Sequence, residues 1–101
     1  MSKTNFEKKI YETIIEEFEN ERNEKKIKRP DIMKKIDIFN YSCSDDSEII
    51  GITQSALESY GKRNRECPVS RFFILAALVD MDLNELKKKI QNEHKIEPIT
   101  K

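Results

Sequence analysis

A chain of 101 residues, 37% hydrophobic and 38% charged, has material for one domain with a thin core and too little for two. Two glycines and three prolines are too few for the tight turns of a β-sandwich of this length, whereas abundant Lys, Glu, Ile and Leu favour helices. Nineteen basic residues balance nineteen acidic ones, and the zero net charge excludes a uniformly basic surface but not a local basic patch.

Phe6, Ile10, Ile14 and Phe18 recur every four residues, with Tyr11 and Ile15 beside them. The spacing predicts a long amphipathic first helix from about Thr4 to Asn23. Its stripe drifts around the helix, so packing within a domain is expected in preference to a coiled-coil seam. Pro30 suits the first turn of a second helix reaching about Asp37 and burying Ile32, Met33 and Ile36. Residues 40–47 (NYSCSDDS) read as a loop, with Asp45 or Asp46 alternatively capping a short helix that ends near Gly51. Thr53 is a good cap for a third helix, Gln54 to about Tyr60, with Ile52, Ala56, Leu57 and Tyr60 inward and Gly61 as its stop. Pro68 opens a fourth helix whose expected buried face is Phe72, Phe73, Ala76 and Val79. Asp82 caps a fifth, with Leu83, Leu86 and Ile90 on its apolar side and Lys87, Lys88 and Lys89 complementing its C-terminal end. The domain is expected over 1–92, with 93–101 as a fraying tail that includes His94 and Pro98.

The charge is laid down in blocks. Residues 24–35 carry six cations against two carboxylates, residues 36–60 five carboxylates and no Lys or Arg, and residues 61–73 four cations against one carboxylate. No apolar run approaches the roughly 20 residues of a membrane span. The stretch from Met1 to Lys9 is polar and unlike a signal peptide, so a cytoplasmic, nucleoid-associated protein is expected. Cys43 and Cys67 are far apart without metal-ligand spacing and are expected as reduced thiols. One histidine, two distant cysteines and no glycine-rich loop leave nucleophilic, metal and nucleotide chemistry without their parts. No enzyme activity, metal, cofactor or small-molecule ligand is expected.

Residues 51–86 carry the most information. They combine Gly51-Ile52-Thr53-Gln54, the pair Ala56-Leu57, the turn Gly61-Lys62-Arg63, a proline-led stretch from Pro68 to Val79, and Met81-Asp82-Leu83-Asn84-Glu85-Leu86. The ensemble resembles the Cro-repressor, or xenobiotic-response-element, helix-turn-helix family over about a third of the chain. The resemblance implies an all-α, five-helix, repressor-type domain and a sequence-specific transcriptional regulator of phage or prokaryotic type. Such a regulator would insert helix 53–60 into the major groove of double-stranded DNA and bind as a homodimer. It makes Gln54, Ser55, Glu58 and Ser59 the base-reading candidates, since short polar side chains and amides match base edges. It makes Lys28, Arg29, Thr53, Lys62, Arg63, Asn64 and Arg65 the backbone candidates.

In one place the chain departs from the family pattern. Helix two should directly precede Gly51, as Cys43–Ile50, which sets Asp46 where the family buries a leucine, at a high desolvation cost. The favoured reading takes Pro30–Ile36 as helix two, followed by an acidic insertion of about 14 residues, and leaves open whether residues 38–51 are loop or helix. The zero net charge and the acidic insertion keep a rival in play, a protein-interaction module on the same fold such as an anti-repressor or antitoxin-like partner.

Overall fold

The computed structural model describes residues 4–100 and is all-helical, with no strand among them. Five helices follow in order: α1 (Asn5–Glu24), α2 (Arg29–Tyr41), α3 (Gln54–Gly61), α4 (Val69–Leu78) and α5 (Leu83–His94), with one 3-10 turn, Asp46–Glu48, between α2 and α3. Local chemistry sets most of the starts. Thr4 Oγ1 accepts from the amide of Glu7 at 3.1 Å while the Glu7 carboxylate accepts from the Thr4 amide at 3.0 Å, closing a capping box on α1. Pro30 lies in the first turn of α2, where the Lys28 amide donates to Asp31 Oδ2 at 2.9 Å. Thr53 Oγ1 accepts from Ala56 N at 3.1 Å at the head of α3, and Asp82 Oδ1 accepts from Asn84 N at 2.9 Å at the head of α5.

The ends follow a different rule from the expected glycine stop. Gly61 has no left-handed backbone and is the last residue of α3. The left-handed positions are Lys26, Arg63, Asp80 and Lys95, with φ between 53° and 61°. After each, the next amide reaches back five residues: Ile27 to Arg22 O, Asn64 to Ser59 O, Met81 to Ala76 O and Ile96 to Gln91 O. At Lys26, Arg63 and Asp80 the left-handed residue also donates three residues back, completing the Schellman pattern, and each non-glycine residue so placed costs roughly 1 kcal/mol relative to glycine. Gly61 answers a tertiary need instead, for a Cβ there would press into Glu19 Oε1 and Arg29 Nη2.

Helix α3 packs against both α1 and α2, while α5 packs on α1 and α4 on α2. The core gathers Ile15 and Phe18 from α1, Ile32 and Ile36 from α2, Ile52, Ala56, Leu57 and Tyr60 around α3, and Cys67, Leu75 and Val79 around α4. Charged side chains tie the C-terminal end of α1 to its neighbours. Glu19 accepts from Arg22 Nε at 2.8 Å and from Arg29 Nη2 at 2.7 Å, and Lys25 Nζ donates to Val79 O and Asp80 O, both at 2.7 Å.

Several expectations need correction. Helix α2 runs to Tyr41, beyond Asp37, so the connection to α3 is residues 42–53. Residues 43–50 do not form a helix; Asp46 lies exposed in the 3-10 turn that Asp45 caps, and no carboxylate is buried there. Phe73 is 53% exposed, and Leu75 takes the buried place expected for it. The first-helix stripe is only partly covered, since Phe6 is 49% exposed and Ile10 and Ile14 are half-buried. Helix α5 continues to His94, whose ring meets Thr13 Oγ1 at 2.8 Å and the edge of Phe6, so this residue belongs to the packed helix and not to the tail.

Candidate nucleic-acid interface

Helix α3 has two unlike sides. Ala56, Leu57 and Tyr60 are buried, and the Tyr60 hydroxyl accepts from Arg71 Nη1 at 2.8 Å. Gln54 and Ser55 are exposed on the first turn, and Glu58 and Ser59 are half-buried one turn on. Gln54 Nε2 lies 3.4 Å from Glu58 Oε1, so the amide is lightly held by a carboxylate on the same face. Thr53 is exposed, but its hydroxyl oxygen already caps the helix.

The cations expected to grip phosphates do not share one environment. Lys62, Arg63, Asn64 and Arg65 are all exposed in the turn after α3, where the left-handed Arg63 reverses the chain. Lys28 is exposed at the N-cap of α2. Arg29 differs: its guanidinium is paired with Glu19 and packed against Gly61, and its Nε is buried without a hydrogen-bond partner. It locks α2 to α1 and α3 through Glu19, a carboxylate that it shares with Arg22.

The turn 62–67 is held by a residue that sequence reasoning assigned to the first helix alone. The Tyr11 hydroxyl donates to Arg65 O at 3.1 Å and accepts from Cys67 N at 2.8 Å. Burial raises the Tyr11 pKa, against the lowering effect of the Cys67 amide. Burial likewise pushes the Cys67 thiol from its ordinary 9.0 to about 11, opposed by Arg71. Cys67 is therefore a neutral, inert thiol at physiological pH. Nothing local in the sequence marks Tyr11, since its partners lie 54 and 56 residues away.

The acidic connection between α2 and α3 is an ordered loop. Asn40 Nδ2 donates to Ile50 O at 3.0 Å and Asn40 Oδ1 accepts from Ile50 N at 2.7 Å, closing its neck. Asp45 is held below its ordinary 3.8 by the amide and hydroxyl of Ser47. Asp45, Asp46 and Glu48 are exposed, as is Tyr41. Among the described residues, no group of three or more His, Cys, Asp or Glu side chains is placed to hold a metal ion, and no helix is long and apolar enough to cross a membrane. The chain matches no protein-family model, no curated protein and no solved structure.

Proposed function

We propose that this chain is a sequence-specific DNA-binding regulator of the Cro and phage-repressor helix-turn-helix type, acting in the cytoplasm at the nucleoid by occupying an operator as a homodimer. The observation that carries the reading is the two-sidedness of α3. Its apolar side is seated in the core while Gln54 and Ser55 stand open on its first turn, beside the exposed cationic turn Lys62–Arg65. An amide at the N-terminal end of a helix can pair bidentately with adenine once it leaves Glu58, and exposed cations flanking the helix can fix its register on phosphates.

The test is affinity for a selected operator and for random duplex DNA across a salt series. Binding should weaken steeply as salt rises. Gln54→Ala should lower operator affinity by roughly 1–3 kcal/mol with the fold intact, and Arg63→Ala should weaken all sequences alike. Salt-insensitive, negligible binding would refute the reading. The second reading, an anti-repressor or antitoxin-like interaction module, draws on the ordered loop that presents Asp45, Asp46 and Glu48 in a chain of zero net charge. A tight protein partner whose binding is lost on replacing those three acids by Asn and Gln would favour it.

A further inference from the structure

Glu58 is the one charged residue of α3, and it lies one turn after Gln54 on the same side. Its carboxylate is half-buried. Gln54 Nε2 donates to it at 3.4 Å, beyond the usual range of a strong hydrogen bond. Among the described residues no Lys, Arg or His pairs with it, and Lys62, four residues further on, makes no ion pair with it either. Glu17 and Glu19 on α1 each hold a cation. Glu58 therefore stands out as a carboxylate without a cation, on the side of α3 that carries Gln54.

We infer that Glu58 is a specificity-determining residue whose carboxylate selects a cytosine, at a base pair other than the one that Gln54 meets. The inference rests on the reading of α3 as the helix that enters the major groove. A carboxylate only accepts hydrogen bonds. In the major groove cytosine presents a donor alone, its N4 amino group. Adenine sets its N6 donor beside the N7 acceptor, guanine offers two acceptors, and thymine an acceptor and a methyl group. Cytosine is the match, and guanine in its place would set lone pairs against a negative charge. Gln54 carries a donor and an acceptor on one amide and matches adenine instead. Four helical residues advance about 6 Å, against about 3.4 Å between successive base pairs, so the two side chains meet different pairs. Closing α3 on DNA draws Gln54 away and strips water from Glu58. A carboxylate left unpaired there is costly, so Glu58 acts by rejecting wrong bases as much as by holding the right one.

Selection of binding sites from random duplex DNA by the full chain, as wild type, Glu58→Gln and Glu58→Arg, tests the assignment. The wild type should recover a site with a C·G pair whose inversion to G·C weakens binding about tenfold or more. Glu58→Gln keeps the size of the side chain and should flatten the preference at that pair. It should also bind random duplex more tightly than the wild type, because a negative charge has left the interface. Glu58→Arg should invert the preferred pair to G·C at the same position, since a guanidinium matches guanine. Gln54→Ala should change a different position and leave this one in place. A wild-type site whose preferences all survive Glu58→Gln overturns the assignment and leaves the reading of α3 standing. A flattened position that held an A·T pair does the same. Failure of the wild type to select any sequence overturns both.

Discussion

Helices α3 and α5 are built alike and held differently. Both are short, both are amphipathic, and both open on a side-chain cap, Thr53 and Asp82. Helix α3 drives Ala56, Leu57 and Tyr60 into the core between α1 and α2. Helix α5 buries Leu86 alone and is tied to α1 by Lys89 on Glu17 and His94 on Thr13. Packing places α3 to within the tolerance of a filled core. Besides Leu86, a partly exposed ion pair and a single hydrogen bond place α5, and an ion pair of that kind is worth little. A helix can thus be fixed in position with its apolar side only partly covered: Leu83 stays exposed and Ile90 half-buried along an open apolar groove between α5, the N-terminal half of α1 and the start of α4.

The contrast can be broken by substitution. Leu57 is 1% exposed, and Leu57→Ala should cost about 2–5 kcal/mol in urea or thermal unfolding. Phe73→Ala, on the groove wall, should cost the isolated chain less than about 1 kcal/mol despite the larger side chain removed. Equal losses would erase the distinction between the two regions.

Cys67 stands where core and groove meet, and it gives an alkaline signature. The folded state keeps the thiol protonated to about 11, while the unfolded chain ionises from 9.0 upward. Stability should therefore fall as pH climbs from 9 to 11, by on the order of 2 kcal/mol, and Cys67→Ala should flatten that limb of the melting-temperature profile. A smaller loss should survive in the variant. The Glu17 hydrogen bond raises the Lys89 pKa, so that pair contributes below 10.5 and fades as pH passes the raised value. An unchanged alkaline limb in Cys67→Ala would mean that the thiol is not sheltered.

Tyr11→Phe removes two hydrogen bonds and should cost about 1 kcal/mol, with faster hydrogen exchange confined to the Cys67 amide and the turn before it. The smallest effect compares helix ends. Lys26→Gly relieves a left-handed residue on the well-packed side and should gain about 0.5–1 kcal/mol, a melting rise of a few degrees. Lys95→Gly, at the loosely held end of α5, should gain less, because that end opens before the whole domain does. A full gain at Lys95 would show α5 to be as cooperative with the core as α3.

Helix starts were legible because their chemistry is local. Thr4, Pro30, Thr53 and Asp82 each act within three or four residues of themselves, and each is where the spacing predicts. The outward side of α3 was legible for the same reason, since periodicity separates Gln54 and Ser55 from Ala56 and Leu57. What escaped was set by partners distant in sequence. Arg29 read as a phosphate grip because the family resemblance sets the start of helix two against the DNA backbone, but Glu19, one helix earlier, pairs with it. Gly61 read as a helix stop because glycine favours left-handed backbone, yet its missing side chain makes room for that same ion pair. Adjacent Phe72 and Phe73 satisfy the apolar pattern equally, and only the packing of α4 decides that Phe73 turns out.

The amide of Asn40, joined to both backbone groups of Ile50, has a consequence for how this chain tolerates change. Everything from Tyr41 to Ile49 leaves and returns through one doorway. Lengthening, shortening or recharging that excursion need not disturb the angle between the helices on either side, provided the doorway stays shut. The protein thus carries a surface whose charge can be rewritten separately from the rest of its architecture.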